Sequence, residues 1–144
     1  MQTLYTAGTT GMTHDRFIAL LRECQTDAVI DIRLRTEGAR YRFASGRQIR
    51  DLSVSQGVQY LHELTFAPTA EMMKRIRADH DWDRYVASYV TLIQQRGMLA
   101  VWQQVAGKFE RPCLLCAEKS AVHCQRRLLA TALVGASVLE VMHL

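Results

Sequence analysis

A short apolar run that ends abruptly in reactive side chains is the feature that most constrains the fold of this chain. Residues 112–115 read Pro-Cys-Leu-Leu, and Cys116, Ala117 and Glu118 follow directly. An apolar run of this length, bounded by charged and polar residues, is typical of a strand buried on both faces of a parallel sheet. We therefore predict that Cys116 and Glu118 lie at the end of a buried strand.

Strand and helix patterns alternate along the rest of the sequence. Strands are predicted at 3–6, 28–32, 58–61, 112–115 and 138–142, with helices after Thr13, at 47–56, through most of 69–107 and after residue 124. This alternation predicts an α/β fold of three layers, a mainly parallel five-stranded sheet with helices on both faces. We expect the Rossmann-like strand order 3-2-1-4-5.

Length and composition indicate one domain over residues 1–144. The chain is 49% hydrophobic and 22% charged, which suits a single buried core. No apolar run approaches the roughly 18 residues that span a bilayer, and the amino terminus has no basic region followed by an apolar one. We expect a cytoplasmic protein without a membrane partner, whose four cysteines are reduced thiols.

An arginine-rich stretch predicts an anionic partner. Of the 18 basic residues, 15 are Arg, and the stretch 33–50 contains six of them with the single acid Glu37: Arg33, Arg35, Arg40, Arg42, Arg47 and Arg50. Guanidinium groups bind phosphate and carboxylate through paired hydrogen bonds. Tyr41 and Phe43 lie within the stretch and can stack on bases. A phosphate-bearing small molecule and a nucleic acid both fit this pattern.

The candidate site gathers residues that follow three predicted strands. Ligands of open α/β sheets bind at the carboxyl ends of the strands, where a following helix also offers free N–H groups. The expected ligand-binding residues are Gly8, Thr9, Thr10, Asp31, Arg33, Arg40, Cys124, Gln125 and Arg126, and the expected catalytic residues are Cys116 and Glu118.

Two chemical interpretations of the cysteines compete with a purely structural one. Cys116 and Glu118 can act as nucleophile and proton acceptor, because Arg126 and a helix amino end would favour a thiolate. Equally, Cys116 can fill the end of a core strand while Glu118 pairs with Arg. Cys113, Cys116, His123 and Cys124 supply four soft ligands for a metal, but residues three apart in a strand point to opposite faces. We therefore predict no metal site and no cofactor.

These motifs resemble those of a prokaryotic family known as domain of unknown function 488. Its members have a Gly-His-Ser-like turn, an Asp-Val-Arg-like strand end, then Cys-x-Glu and Cys-His-Arg before a helix. The matching pieces here are 4–10, 31–33, 116–118 and 124–130. Thr9 and Gln125 stand where the family usually has His, and 34–39 replaces its usual Pro and Ser. The resemblance implies a compact α/β domain with an undefined activity. A family mechanism that relies on those two imidazoles cannot be carried over, so we expect either a divergent member or one that binds without reacting.

The leading hypothesis is an intracellular domain that binds a phosphate-bearing ligand, a nucleotide or a nucleic-acid end, at the carboxyl edge of the sheet. In it Arg33, Arg40 and Arg126 hold the charge, Glu118 acts as acid or base, and Cys116 is the thiol nearest the chemistry. The first alternative is a non-catalytic binding module for nucleic acid or an acidic protein. The second is a Cys/His metal-binding protein. The sequence leaves open whether the protein is an enzyme.

Overall fold

Five parallel strands form a single sheet with α-helices on both of its faces, as the computed structural model of residues 1–38, 41, 44–118 and 120–144 shows. The strands are β1 (Gln2–Gly8), β2 (Ala28–Asp31), β3 (Gln59–His62), β4 (Pro112–Cys116) and β5 (Val138–His143). All of their pairings are parallel. The predicted three-layer α/β fold is confirmed.

Six α-helices connect the strands within the described residues. They are α1 (His14–Glu23), α2 (Gly46–Ser55), α3 (Ala70–Asp79), α4 (Trp82–Gln95), α5 (Met98–Ala106) and α6 (Gln125–Leu133). Side chains cap the starts of α1, α2, α3 and α4, at Thr13, Ser45, Thr69 and Asp81. Each cap accepts a hydrogen bond from a backbone N–H group that has no partner inside its helix. None of the described helices is long and apolar enough to span a membrane.

The strand order is 3-2-4-1-5, so the expected order 3-2-1-4-5 is wrong. β4 lies between β2 and β1 instead of outside β1. The two orders differ only in the places of β1 and β4: the wholly buried and apolar β4 takes the middle of the sheet, and β1, which carries Gln2, Thr3 and Thr6, lies next to the edge strand β5. An all-apolar strand loses most contact with water when strands flank it on both edges and helices cover both faces. The position of β4 decides which loops meet at the site.

Two apolar clusters fill the space on either side of the sheet. One joins the sheet to α1 and α2 and includes Cys113 and Leu115 of β4. The other joins it to α3, α4, α5 and α6 and includes Leu114 and Cys116. Cys113 and Cys116 thus lie on opposite faces, as the alternation of strand side chains predicts.

At the centre of the sheet, the helices that follow neighbouring strands lie on opposite faces. β1 and β2 lead into α1 and α2 on one face, whereas β4 leads into α6 on the other. The connections therefore diverge on each side of β4, and such divergence opens a crevice at the carboxyl ends of the strands.

Candidate functional site

A cavity of about 510 Å³ lies beyond the carboxyl ends of β2 and β4. The segment after β2, the segment after β4, and helices α3 and α4 form its walls. The described lining residues are Arg33, Leu34, Arg35, Tyr41, Pro68, Ala70, Met73, Lys74, Ile76, Arg77, Trp82, Tyr85, Ala117, Glu118, His123 and Gln125. We call this space the edge cavity.

The edge cavity carries more positive than negative charge. Arg33 and Arg35 come from the β2 side, and Lys74 and Arg77 come from α3. Among the described residues of the lining, Glu118 is the single acid. Arg33 is buried, whereas the other four charged side chains are exposed. The wall therefore offers three cations that solvent or a ligand can reach.

Arg33 is held by a buried hydrogen-bond network behind the cavity wall. Its guanidinium donates to both carboxylate oxygens of Asp31, at 2.9 and 2.7 Å, and to the Ala44 carbonyl oxygen at 2.6 Å. The Tyr60 hydroxyl donates to Asp31 at 2.6 Å, and His62 Nε2 lies 2.7 Å from the Arg33 carbonyl oxygen. Burial acts to lower the pKa of Arg33, but Asp31 raises it overall. Arg33 is thus a fixed, neutralised part of the wall.

The Cys116 thiol lies in the core beneath the cavity. Its side chain is fully buried, and Arg126 Nη1 lies 3.2 Å from its sulfur and 2.5 Å from the Glu118 carbonyl oxygen. Burial alone would raise the pKa of Cys116, but a hydrogen bond with Cys124 and the charge of Arg126 hold that pKa below its ordinary value. Burial, together with Cys116, raises the pKa of Cys124 well above the ordinary value.

The turn after β1 joins the segment after β4 on the side away from the edge cavity. Thr9 N donates to the Cys116 carbonyl oxygen at 2.8 Å, and Thr10 N donates to that of Ala117 at 3.0 Å. A Cβ atom at Gly8 would lie 1.6 Å from the Glu118 carbonyl oxygen. Glycine is therefore required here because two backbones approach closely.

The expected site residues separate into distinct places. Arg33, Glu118 and Gln125 line the edge cavity. Cys116, Cys124 and Arg126 lie in the core below it, and Asp31 lies behind Arg33. Gly8, Thr9 and Thr10 lie outside the cavity lining, because β4 separates β1 from β2. Arg40, like Arg42 and Phe43, lies outside the described residues.

The sequence interpretation missed the wall that the helices contribute. Lys74 and Arg77 lie one turn apart on the same side of α3 and face the cavity. Their spacing of three residues indicates that both side chains lie on one side of α3. It does not indicate that α3 covers the sheet edge. His123 lies on the segment between β4 and α6, with its ring centroid 5.0 Å from that of Trp82. Trp82 in turn stacks on Tyr85 at 5.0 Å.

Gln125 connects the two sides of the cavity floor. Its amide nitrogen donates to the Ile32 carbonyl oxygen, and its oxygen accepts from the Tyr85 hydroxyl, both at 3.4 Å. Gln125 thereby links the segments after β2 and β4 to α4. Its side chain is neutral, so it adds no charge to the lining.

The metal-site interpretation does not fit the cysteine geometry. Cys113 and Cys116 belong to apolar clusters on opposite faces of the sheet, so one ion cannot contact both. Across residues 1–38, 41, 44–118 and 120–144, no group of three or more His, Cys, Asp or Glu side chains is arranged to hold a metal ion.

The chain was compared with known proteins at three levels. No curated protein matches it, and no solved structure does. A family model described as domain of unknown function DUF488 matches residues 13–133, which is most of the chain. The resemblance seen in the motifs is therefore confirmed, and the chain belongs to the family described as domain of unknown function DUF488.

Proposed function

We propose that this protein binds a phosphate-bearing ligand, a nucleotide or the end of a nucleic acid, in the edge cavity. The observation that carries the proposal is the charge of the lining: the three exposed cations Arg35, Lys74 and Arg77 against the single acid Glu118 among its described residues. Charged hydrogen bonds from guanidinium and ammonium groups to phosphate are among the strongest polar contacts in proteins.

The arrangement of the cations supports an anion held from two sides. Arg35 follows β2, whereas Lys74 and Arg77 belong to α3 on another wall. All three side chains are exposed, so they retain donors for a ligand. Arg33 supplies no comparable free charge, because Asp31 neutralises it. We therefore assign phosphate binding to Arg35, Lys74 and Arg77.

The uncharged part of the lining supports a ligand that also has a flat or apolar portion. Met73 and Ile76 of α3 and Trp82 and Tyr85 of α4 border the same space as the cations. The volume, about 510 Å³, lies within the range of roughly 300–1,000 Å³ found for small-molecule sites. A nucleotide combines a phosphate with a base that apolar and aromatic side chains can contact.

Glu118 is the residue to which we assign acid–base chemistry, if the bound ligand reacts. Its side chain is exposed in the cavity wall, whereas the Cys116 thiol is fully buried in the core. The burial of Cys116 and Arg126 favours the alternative, a binding module without turnover. The variant Glu118→Gln tests the acid–base role of Glu118, because it removes a proton acceptor with little change in shape. Unchanged turnover of a bound ligand by this variant would exclude Glu118 as the acid or base.

The binding proposal is tested by titrating the protein with inorganic pyrophosphate and with mononucleotides in a calorimeter. We expect the double variant Lys74→Ala/Arg77→Ala to bind at least about tenfold more weakly than the parent, a loss of about 1.4 kcal/mol. The matched control is Arg75→Ala on the same helix, because Arg75 borders a separate groove between α3 and α4. Equal affinities for all three proteins, or no binding by the parent, would contradict the proposal.

A further inference from the structure

Two buried thiols lie where β4 ends and α6 begins. Cys116 is the last residue of β4, and Cys124 is the residue that precedes the first turn of α6. Both side chains are at most 1% exposed, and both belong to the apolar cluster on the same face of the sheet. The other two cysteines, Cys24 and Cys113, belong to the cluster on the opposite face of the sheet. The pair is thus separated from the remaining thiols by the sheet itself.

A buried cation lies beside one thiol of the pair. Arg126 is fully buried, and its Nη1 is 3.2 Å from the Cys116 sulfur. A charge in a dry interior requires a compensating charge or strong hydrogen bonds. The thiolate form of Cys116 supplies such a charge at contact distance. Thiolates beside arginine are also the form of cysteine that reacts with oxidants.

We propose that Cys116 and Cys124 form a reversible disulfide when the protein meets a hydroperoxide, which makes the pair an oxidative modification site. The inference rests on the placement of the two thiols and Arg126, and it does not depend on which ligand the edge cavity binds.

The reaction has two steps and uses one hydroperoxide. The Cys116 thiolate attacks the outer peroxide oxygen, the O–O bond breaks, and Cys116 becomes a sulfenic acid while the leaving alkoxide takes a proton to give an alcohol. The Cys124 sulfur then attacks the Cys116 sulfur, the S–O bond breaks, and hydroxide leaves as water with the Cys124 proton. Two thiols lose two electrons in total, and the peroxide gains them. A small-molecule dithiol restores both thiols by exchange.

The disulfide would close a loop that carries part of the cavity wall. Residues 117–123 lie between the two cysteines, and Ala117, Glu118 and His123 of this loop line the edge cavity. Gln125, which follows Cys124, lines it as well. The two thiols are not part of the cavity lining and are at most 1% exposed, so the proposed reaction requires this loop to open briefly and admit a small peroxide. A disulfide requires the two Cβ atoms to lie about 3.8 Å apart, and the shared position of both thiols on one face of the sheet is compatible with this.

The experiment oxidises the folded protein with hydrogen peroxide, blocks remaining thiols and maps the cysteines by mass spectrometry without reduction. Trypsin cleaves after Lys119, so it places Cys116 and Cys124 in different peptides. Cys113 shares the peptide of Cys116, and fragmentation between Leu114 and Leu115 tells the two apart. We expect a linked pair of peptides that has lost two hydrogen atoms and separates again in dithiothreitol.

Variants test the order of the steps. In Cys124→Ser, the reaction should stop at a sulfenic acid on Cys116, which a dione probe captures. The matched control, Cys24→Ser, should still form the link, because Cys24 lies on the other face. A link that involves Cys24 or Cys113 would overturn the proposal. Sulfinic acids without any link would also overturn it. So would thiols that stay intact in the folded protein under conditions that oxidise the same chain unfolded in guanidinium. The wild-type map decides the question even when a variant does not fold.

Discussion

The guanidinium of Arg33 is paired with the carboxylate of Asp31 through two hydrogen bonds, at 2.9 and 2.7 Å, at the end of β2. The Arg33 and Asp31 side chains are 2% and 0% exposed. The pair fixes the direction in which the chain leaves the sheet, and Leu34 and Arg35 of the edge cavity follow immediately. A buried ion pair that loses one partner leaves an uncompensated charge, which makes this contact testable.

We expect Asp31→Asn to lower the free energy of unfolding by about 3 kcal/mol, because it leaves the buried Arg33 charge without its counter-ion. The matched control is Asp79→Asn, which removes an ion pair of the same length, 2.7 Å, between Asp79 and Arg84 on an exposed surface. The control should lose less than about 1 kcal/mol. Urea unfolding measures both, and equal losses would contradict the structural role of Asp31.

The contact at Gly8 predicts a second stability effect. A Cβ atom there would lie 1.6 Å from the Glu118 carbonyl oxygen, a backbone atom that cannot rotate away. We expect Gly8→Ala to cost at least about 3 kcal/mol, because the turn after β1 and the segment after β4 must separate. Gly57→Ala is the control: Gly57 has a φ of +73° and open space around its Cβ position. Its cost should stay near 1–2 kcal/mol.

The Cys113 thiol predicts a pH dependence of stability. Burial raises its pKa from 9.0 to about 12 in the folded protein. Because the folded pKa exceeds the unfolded one, the stability from this group is complete below pH 9 and is lost as the pH rises toward 12. Relative to Cys113→Ala, the wild-type protein should lose up to about 1.4 kcal/mol per pH unit in that range. A difference between the two proteins that stays constant from pH 7 to pH 11 would refute this.

The carboxylate of Glu118 is expected to weaken the binding of a phosphate in the edge cavity. It is the single acid among the described residues of the cavity lining, so it repels a phosphate that the cations attract. We expect Glu118→Gln to tighten binding of inorganic pyrophosphate by up to about fivefold, which corresponds to about 1 kcal/mol. The control is Glu71→Gln, because Glu71 lines the separate groove between α3 and α4. Weaker binding by Glu118→Gln would mean that this carboxylate contacts the ligand favourably.

The fold was predictable from local patterns, but the order of the strands was not. The apolar run at 112–115 and the caps at Thr13 and Asp81 mark elements that the structure contains. Helical connections allow parallel strands to be neighbours in several orders, so the alternation alone does not select one. The exposed β5 is an edge strand in both orders, and the property that distinguishes β4 from β1 is that β4 is wholly apolar whereas β1 carries Gln2, Thr3 and Thr6.

The orientation of Arg126 shows what the site prediction overlooked. Arg126, Leu129, Ala130 and Leu133 are spaced i, i+3, i+4 and i+7, and all four are buried on one face of α6. That spacing already indicates that Arg126 points toward the core. The placement of Lys74 and Arg77 in the cavity wall, by contrast, depends on how α3 packs over the sheet edge, which no local pattern encodes.

The most direct test of a ligand in the edge cavity uses the two tryptophans of the chain. Trp82 lines the cavity, whereas Trp102 is fully buried in the core, where its indole N–H donates to Gln2 at 2.9 Å. In a ¹⁵N NMR titration with a mononucleotide, the indole signal of Trp82 should shift in a saturable manner while that of Trp102 stays in place. A Trp82 signal that does not move at saturating nucleotide would contradict the account.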